Sequence, residues 1–118
     1  MSRIRIALVA ALSAALVIVA TATAAPIKLS GVVGPGFTIT LKKGTAKVTK
    51  LKAGKYAITV SDKSPIHNYR LKGPGLNKEI TAVSFVGKKT VTVTLKSGKY
   101  TYVCDPHKTL MHGSFTVS

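Results

Sequence analysis

The chain has 118 residues with a single cysteine, no tryptophan and a formal charge of +15, because 18 lysines and arginines stand against three acids. This length allows one small domain, and a single cysteine excludes an internal disulfide. So basic a chain suggests a nucleic-acid ligand, but we do not expect one, since the lysines are spread through every turn and few aromatic side chains are available to stack on bases.

The N-terminus has the pattern of an export signal. Two arginines give a basic start, residues 6–20 are almost entirely apolar, and residues 22–24 form a small-residue cleavage motif. We therefore predict a signal peptide over residues 1–24, removed after Ala24. The mature domain, residues 25–118, would be exported to the periplasm, the cell surface or the medium. An uncleaved membrane anchor is the alternative.

The mature domain keeps most of the positive charge. Its 15 lysines and Arg70 stand against Asp62, Glu79 and Asp105, which gives a formal charge of +13. Such a field favours an anionic partner, either an acidic redox protein or an anionic membrane or cell-wall surface. A solvated lysine surface that keeps strand edges from pairing with other chains explains the same composition.

Alternating apolar and polar residues predict a series of short β-strands in the mature domain. These strands lie at residues 27–33, 37–42, 46–51, 56–61, 66–71, 89–95, 100–104 and 114–118. Phe37, Ile39 and Leu41 are expected to face the core, and residues 79–85 form either a strand or a crossing loop. No stretch after residue 25 has the 3.6-residue apolar period of a helix. The predicted fold is therefore an all-β, two-sheet Greek-key sandwich of seven or eight strands.

One short motif, Leu-Lys-x-Gly-Lys-Tyr, occurs twice, ending at Tyr56 and at Tyr100, and each copy leads into a predicted strand. The glycine turns the chain, and the tyrosine hydroxyl can bond to a carbonyl of the turn, as in a tyrosine corner. A single turn and strand are too short for a repeat unit. We expect two equivalent corners of one sandwich.

The residues with metal-binding chemistry follow the predicted strand at 100–104. Cys104, His107 and Met111 occur within eight residues, and His67, after a proline-containing turn, is the expected second histidine. Thiolate, imidazole and a weak axial thioether suit copper that changes between Cu(I) and Cu(II). A lone cysteine in an oxidising compartment is otherwise a free thiol, an intermolecular bridge or a buried structural residue.

With His67-Asn68 and Cys104-Asp-Pro-His107 followed by Met111, the mature chain resembles the cupredoxins, the small plastocyanin-like blue-copper proteins. The resemblance implies one copper ion per chain, held by His67, Cys104, His107 and an axial Met111. It also implies that Asn68 supports the site from behind the ligands, with its backbone N–H on the cysteine sulfur and its side chain tied to the ligand loop.

By the same resemblance, His107 is expected to place its ring edge near solvent at the loop end of the sandwich. An apolar patch that includes Pro35, Pro74 and Leu110 would surround this edge. That patch would be the docking surface for redox partners and the point of electron exit.

Other residues of the loop are interpreted from their own chemistry. Asp105 caps the first turn of the loop, pairs with Asn68 or lies in solvent. Pro106 has no N–H to donate to the sulfur of Cys104, which leaves more charge on the thiolate and predicts a lower reduction potential. His112 is interpreted as an exposed neighbour of Met111. The alternatives are that His112 is the fourth ligand instead of Met111, or that it forms a pH-dependent site.

These predictions combine into an exported, monomeric type 1 copper protein that carries single electrons between larger redox partners. A copper-delivery protein without redox cycling needs the same soft ligands, and a structural or adhesive sandwich is a third alternative. An enzyme is not expected, because the three histidines are too few for additional copper sites and no serine sits in a nucleophile elbow.

Overall fold

The computed structural model describes residues 10–18 and 24–118. Residues 10–18 have no regular secondary structure, and their large apolar side chains are exposed. The predicted signal peptide and its cleavage motif lie largely outside the described residues, so removal after Ala24 stays a prediction. Among the residues that are described, no helical segment reaches the length and hydropathy that crossing a bilayer requires.

Ten β-strands are found within residues 24–118. They are β1 (Ile27–Val33), β2 (Ile39–Lys43), β3 (Ala46–Lys47), β4 (Lys50–Leu51), β5 (Gly54–Asp62), β6 (Tyr69–Gly73), β7 (Leu76–Thr81), β8 (Gly87–Leu95), β9 (Gly98–Val103) and β10 (His112–Val117). Each predicted strand overlaps an observed one, and the ambiguous stretch at 79–85 contains the end of β7 and a loop. The only helical element in the same range is a 3-10 turn at Asp105–His107, too short to show a helical period in the sequence.

The strands form two five-stranded sheets, with the orders β3-β2-β1-β5-β8 and β4-β10-β9-β6-β7. β1 is parallel to β5 and β4 is parallel to β10, and the other neighbours are antiparallel. This architecture confirms the predicted all-β, two-sheet fold. The strands are more numerous than predicted for two reasons. β7 forms where the sequence left a strand open, and residues 46–51 divide between the sheets, with Val48 buried at the crossing and its N–H donating to the carbonyl of Leu41.

One hydrophobic core lies between the sheets. All of its buried apolar side chains within the described ranges fall between Leu29 and Val117, so a chain that starts at residue 25 keeps the whole core. Leu41 is fully buried, as predicted. The inward assignment of Phe37 is wrong, because β2 begins only at Ile39 and the Phe37 side chain is 54% exposed.

Aromatic side chains fill the second sheet's half of the core. Tyr69 stacks on Tyr102 with 5.9 Å between ring centroids, and Tyr100 stacks on Phe115 at 5.4 Å. The Tyr69 hydroxyl donates to the carbonyl of Thr40 at 2.9 Å, which joins the two sheets. Burial raises the pKa of Tyr69 well above its ordinary value, and burial also raises the pKa of Tyr102. Both hydroxyls therefore stay neutral at physiological pH.

Strand direction gives the sandwich two ends. The cysteine end consists of the loops at residues 34–38, 63–68, 82–86 and 104–111. The distal end consists of the chain that enters β1 and the turns at residues 44–45, 52–53, 74–75 and 96–97. β9 runs from the distal end to the cysteine end, a distance of about 17 Å at about 3.3 Å per residue.

Both copies of the Leu-Lys-x-Gly-Lys-Tyr motif lie at the distal end, as the expectation of two equivalent corners requires. The Tyr56 hydroxyl donates to the carbonyl of Lys52 at 2.7 Å. The Tyr100 hydroxyl donates to the carbonyl of Pro74 at 3.3 Å and accepts the N–H of Lys96 at 3.0 Å. Each tyrosine therefore fixes the turn that precedes its strand.

Candidate metal centre

The ligand loop leaves β9 and returns at β10 as a closed segment. The Cys104 N–H donates to the carbonyl of Met111 at 3.0 Å, which closes the loop at its base. Inside it, Asp105–His107 form the 3-10 turn, and the His107 carbonyl accepts the N–H groups of Leu110 at 3.1 Å and Met111 at 2.9 Å. The loop therefore holds cysteine, histidine and methionine in one compact, hydrogen-bonded unit.

His67 approaches this loop from the segment before β6. It is fully buried, but it precedes the strand, which begins at Tyr69, and does not lie inside it as the sequence predicted. Gly34 makes room for its ring: at φ +72°, a Cβ on Gly34 would lie 3.0 Å from Ser64 Cβ and 3.3 Å from His67 Cδ2. The Gly-Pro-Gly turn at residues 34–36 thus has a direct role in positioning this histidine.

Three donor atoms meet at the cysteine end. The Sγ atom of Cys104 lies 3.7 Å from His67 Nδ1 and 3.6 Å from His107 Nδ1, and the two Nδ1 atoms are 3.1 Å apart. Within the described part of the chain, this is the one group of three metal-ligating side chains of its kind. Its members come from the two segments that the sequence predicted.

The size of this triangle fits one metal ion. A point equidistant from the three donor atoms lies about 2.0 Å from each, close to the bond lengths of about 2.0–2.1 Å to nitrogen and about 2.3 Å to sulfur seen for zinc. A thiol and two imidazoles in a trigonal set, with a weak thioether beside them, are the ligands of blue-copper sites. Met111 is completely buried within the same closed loop, as an axial ligand would be.

His112 is the first residue of β10 and is exposed. Its Nδ1 lies 2.8 Å from the carbonyl oxygen of Lys108, to which a protonated Nδ1 would donate. This placement favours the interpretation of His112 as an exposed neighbour of the methionine over its interpretation as a ligand.

Asn68 is fully buried and joins the two ligand segments. Its Oδ1 accepts the Asp105 N–H at 2.7 Å, and its Nδ2 donates to Asp105 Oδ2 at 2.8 Å and to Glu79 Oε2 at 3.0 Å. The residue after His67 is therefore fixed directly to the residue after Cys104. Of the alternatives considered for Asp105, the structure selects pairing with Asn68. The expected hydrogen bond from the Asn68 backbone to the sulfur stays a prediction.

Arg70 extends this network to the surface, a role that sequence analysis missed. Its Nε donates to Asp105 Oδ2 at 2.8 Å, one Nη donates to Glu79 Oε2 at 3.2 Å, and the other donates to Asn77 Oδ1 at 3.1 Å. Burial alone would raise the pKa of Asp105, but hydrogen bonds from Arg70 and Asn68 and nearby positive charge hold it below its usual value. The hydrogen bond with Asp105 in turn raises the pKa of Arg70.

Phe37 covers the two histidines. Its ring centroid lies 5.3 Å from that of His67 and 4.9 Å from that of His107, in edge-to-face contacts. His67 and Cys104 are fully buried beneath it, whereas His107 is only partly buried. His107 is thus the nitrogen ligand nearest to solvent, as the cupredoxin resemblance implies.

Exposed apolar side chains lie at the same end of the sandwich as this histidine. Within residues 24–118, all of the large exposed ones except Ile27 lie in the loops of the cysteine end. We call them the apolar face: Phe37, Ile66, Val83, Val86 and Leu110.

Of the residues predicted for the docking patch, Pro35 and Leu110 are exposed at the cysteine end. The assignment of Pro74 is wrong. Pro74 lies in the turn after β6 at the distal end, where it packs against Gly98 at the start of β9. The two Gly-Pro-Gly segments share turn chemistry but lie at opposite ends.

Comparison with known proteins agrees with this geometry. A family model described as copper binding proteins, plastocyanin/azurin family, matches residues 37–118. No curated protein matches the chain.

Several solved structures share the fold. The chain is similar to reduced rusticyanin, with 22% identity over 82% of each chain and a TM-score of 0.59. Rusticyanin from Thiobacillus ferrooxidans has 21% identity over 81% of this chain and 79% of that chain, with a TM-score of 0.55. A chain of a heme-copper terminal oxidase dimer has 19% identity over 77% of this chain and 63% of that chain, with a TM-score of 0.54. At these identities the likeness concerns the fold alone.

The family match extends over the whole candidate site, from Phe37 above the histidines to the final strand. The copper binding of the matched family agrees with the donor triangle and with the buried methionine in the same loop, although the axial role of Met111 stays a prediction. The chain therefore belongs to the plastocyanin/azurin family of copper-binding proteins, and the donor triangle of His67, Cys104 and His107 marks its copper site.

Proposed function

We propose that this chain is an exported carrier that passes single electrons between larger redox partners. Copper, when bound, supplies a one-electron couple, Cu(I)/Cu(II), that thiolate, imidazole and thioether ligands accommodate in one geometry. The observation that carries the proposal is the donor triangle of His67, Cys104 and His107. Two segments hold its three donor atoms 3.1–3.7 Å apart, which lets all three bind one metal ion.

Electron transfer is fastest when few atoms move on each transfer, and the protein supplies this rigidity. Cys104 is fixed on both sides, since its own N–H bonds to Met111 and its neighbour Asp105 bonds to Asn68. His67 is confined by burial and by the backbone of Gly34. A site supported on strands and on a hydrogen-bonded loop keeps its geometry better than one on an open loop.

The route for the electron is proposed to be His107. This ligand is partly exposed under Phe37, at the end of the sandwich that carries the apolar face. Exposed lysines at the same end, Lys63, Lys88 and Lys108, would attract an acidic docking surface on the partner. A carrier role is favoured over an enzymatic one because the remaining ligands are fully buried, which leaves a substrate little access to the donor triangle.

Redox cycling in the presence of a Cu(I) chelator tests the carrier function. The copper-loaded protein would be reduced with ascorbate and reoxidised with ferricyanide over several cycles, and the retained copper would be measured. A carrier keeps stoichiometric copper and shows a reversible one-electron wave in voltammetry. Loss of copper to the chelator at the first reduction would contradict the proposal and indicate a copper-delivery protein.

Export is part of the same proposal and has its own test. The apolar run at residues 6–20 and the motif at residues 22–24 support cleavage after Ala24. The mass of the protein recovered from the exported fraction should correspond to a chain that begins at residue 25. A full-length chain recovered with the membranes would instead support the anchor interpretation.

A further inference from the structure

The two ends of the sandwich differ in charge. All three acids of the chain lie toward the cysteine end: Asp62 closes β5, Asp105 follows Cys104, and Glu79 pairs with Arg70. The distal end presents exposed lysines and no acidic side chain among the residues that the structure describes. These lysines are Lys28, Lys43, Lys50, Lys52, Lys55, Lys96 and Lys99. The formal charge of the mature domain is thus concentrated away from the copper site.

The distal lysines surround a shallow groove with an apolar floor. Lys43, Lys50 and Lys52 line it together with apolar parts of the chain: Ile27, Leu51 and Tyr56. Lys99 pairs with Thr116, which in turn pairs with Lys50, so these two lysines lie two strands apart, about 10 Å. A spacing of this size suits separate anionic groups on a surface better than one small anion.

The N-terminal segment enters the domain at this same end. β1 begins at Ile27, which is 43% exposed beside the groove. Ala24 is three residues earlier and so lies within about 11 Å of it. The described chain therefore enters the domain at the lysine-rich end, opposite the apolar face.

We propose that the distal end binds an anionic lipid surface. Lysines contribute to such binding when they lie within a Debye length of the membrane, and among the described residues no acidic side chain lies at this end. The apolar floor of the groove and exposed Ile27 add a small apolar contact with the interface. Since His107 lies at the other end, about 17 Å away along β9, a membrane-bound domain would present its copper site to partners in solution.

Vesicle sedimentation of residues 25–118 tests this proposal and needs no copper, so it can fail independently of the electron-carrier function. These residues contain the whole core and are suitable without the N-terminal segment. Two kinds of vesicle would be compared. Neutral vesicles contain phosphatidylcholine alone, and mixed vesicles contain two parts phosphatidylcholine to one part phosphatidylglycerol, which is anionic. Binding is expected only to the mixed vesicles, and it should be lost between about 20 mM and about 500 mM salt, as the Debye length falls from about 20 Å to about 4 Å.

Two triple variants with the same net charge separate a local site from a general charge effect. Replacement of Lys43, Lys50 and Lys52 by glutamine should weaken binding on the order of 100-fold, at about one tenfold step per 1.4 kcal/mol and about 1 kcal/mol per lysine. Replacement of the cysteine-end lysines should weaken it less than about tenfold. These control substitutions are Lys63→Gln, Lys88→Gln and Lys108→Gln.

Equal losses in the two triple variants would overturn the proposal, because binding would then follow net charge alone. Equal binding to neutral and mixed vesicles would also overturn it. A third experiment measures binding of soluble polyglutamate, a model for an acidic polypeptide. If the wild-type domain binds polyglutamate through the distal lysines but not the mixed vesicles, the end recognises an acidic polypeptide and the membrane assignment is wrong.

Discussion

The cysteine end and the distal end are built from the same strands but have opposite chemistry. The cysteine end places buried polar groups, a thiol and two imidazoles beneath an apolar surface. The distal end has an apolar interior, two turns that are hydrogen-bonded to tyrosine hydroxyls, and a surface rich in lysine. β9 connects the two ends, because Tyr100 lies near its start at the distal end and Cys104 follows its last residue at the cysteine end.

The copper site depends on the side chains of the cysteine end, and the turns of the distal end stabilise the fold. At the cysteine end, hydrogen bonds from buried Asn68 fix the two ligand segments to each other, although Asp62 Oδ2, His67 Nε2 and Thr81 Oγ1 are buried there without a hydrogen-bond partner among the described residues. At the distal end, the side chains that matter most bond to backbone groups of turns and stabilise the fold. Substitutions at the first end should therefore alter the copper site, whereas those at the second should leave the copper site unchanged.

The largest effect is expected from Cys104→Ser. A serine cannot supply a soft thiolate, so the intense absorption at about 600 nm should vanish and the Cu(II) affinity should fall by more than about 100-fold. Absorption spectra and competition titration measure both. His112→Ala is the matched control, since this exposed histidine bonds only to the Lys108 backbone, and it should keep colour and affinity. Loss of colour in the control would show that His112 is a ligand.

Asn68→Ala should damage both the site and the fold. It leaves the Asp105 N–H and carboxylate without their buried partner, which should reduce the free energy of unfolding by about 2–4 kcal/mol. The copper affinity should fall by about 10–100-fold, as for other residues that support ligands. Urea unfolding of the copper-free protein and a copper titration measure these values. An unchanged copper affinity would show that Asn68 stabilises the end without positioning the ligands.

Tyr100→Phe sharpens the comparison from the distal end. It removes a hydroxyl that both donates to Pro74 and accepts from Lys96, so it should destabilise the fold by about 1–2 kcal/mol. Tyr56→Phe removes a single donated bond and should cost about 1 kcal/mol. Urea unfolding gives both values, and the copper spectra should match the wild type. A spectral change in either variant would break the proposed separation of the two ends.

Arg70→Lys should have a smaller effect. Lysine keeps the charge but cannot bond to Asp105, Glu79 and Asn77 together, so about 1 kcal/mol of stability should be lost from this partly exposed network. Lys72→Arg, two residues along β6, is the matched control and should be neutral. If Arg70→Lys leaves both unfolding and the EPR spectrum unchanged, the network is a surface feature without influence on the site.

The smallest effect is expected from Pro106→Ala. Alanine restores an N–H next to the thiolate, and an added donor should raise the midpoint potential with little effect on stability. Protein-film voltammetry measures the potential. An unchanged or lower value would reject the proposed role of Pro106.

Local chemistry made the ligands predictable from the sequence. Cys104, His107 and Met111 lie in one short segment, and His67 follows a recognisable turn, so residue type and spacing were sufficient. Alternation likewise predicted strands such as β5 and β8. These signals are contained in neighbouring residues.

Features that depend on distant contacts were missed. Phe37 looks like a strand residue by alternation, but the strand starts two residues later and the ring covers the histidines. Arg70 meets Glu79 only through the β6–β7 pairing, whose register shifts next to it. Pro74 was misplaced because turn chemistry does not specify the end of a sandwich. Within residues 25–118, the single arginine among 15 lysines was the one sign of a side chain that bonds to two carboxylates at once.

The central claim is that two separate segments of this domain hold one copper ion between a thiolate and two imidazoles. Titration of residues 25–118 with Cu(II), followed by absorption and EPR, tests it most directly. An intense band at about 600 nm that saturates at one equivalent is expected, with the narrow hyperfine splitting of a copper–thiolate bond. A weak band with wide splitting, or no saturation at one equivalent, would contradict the claim.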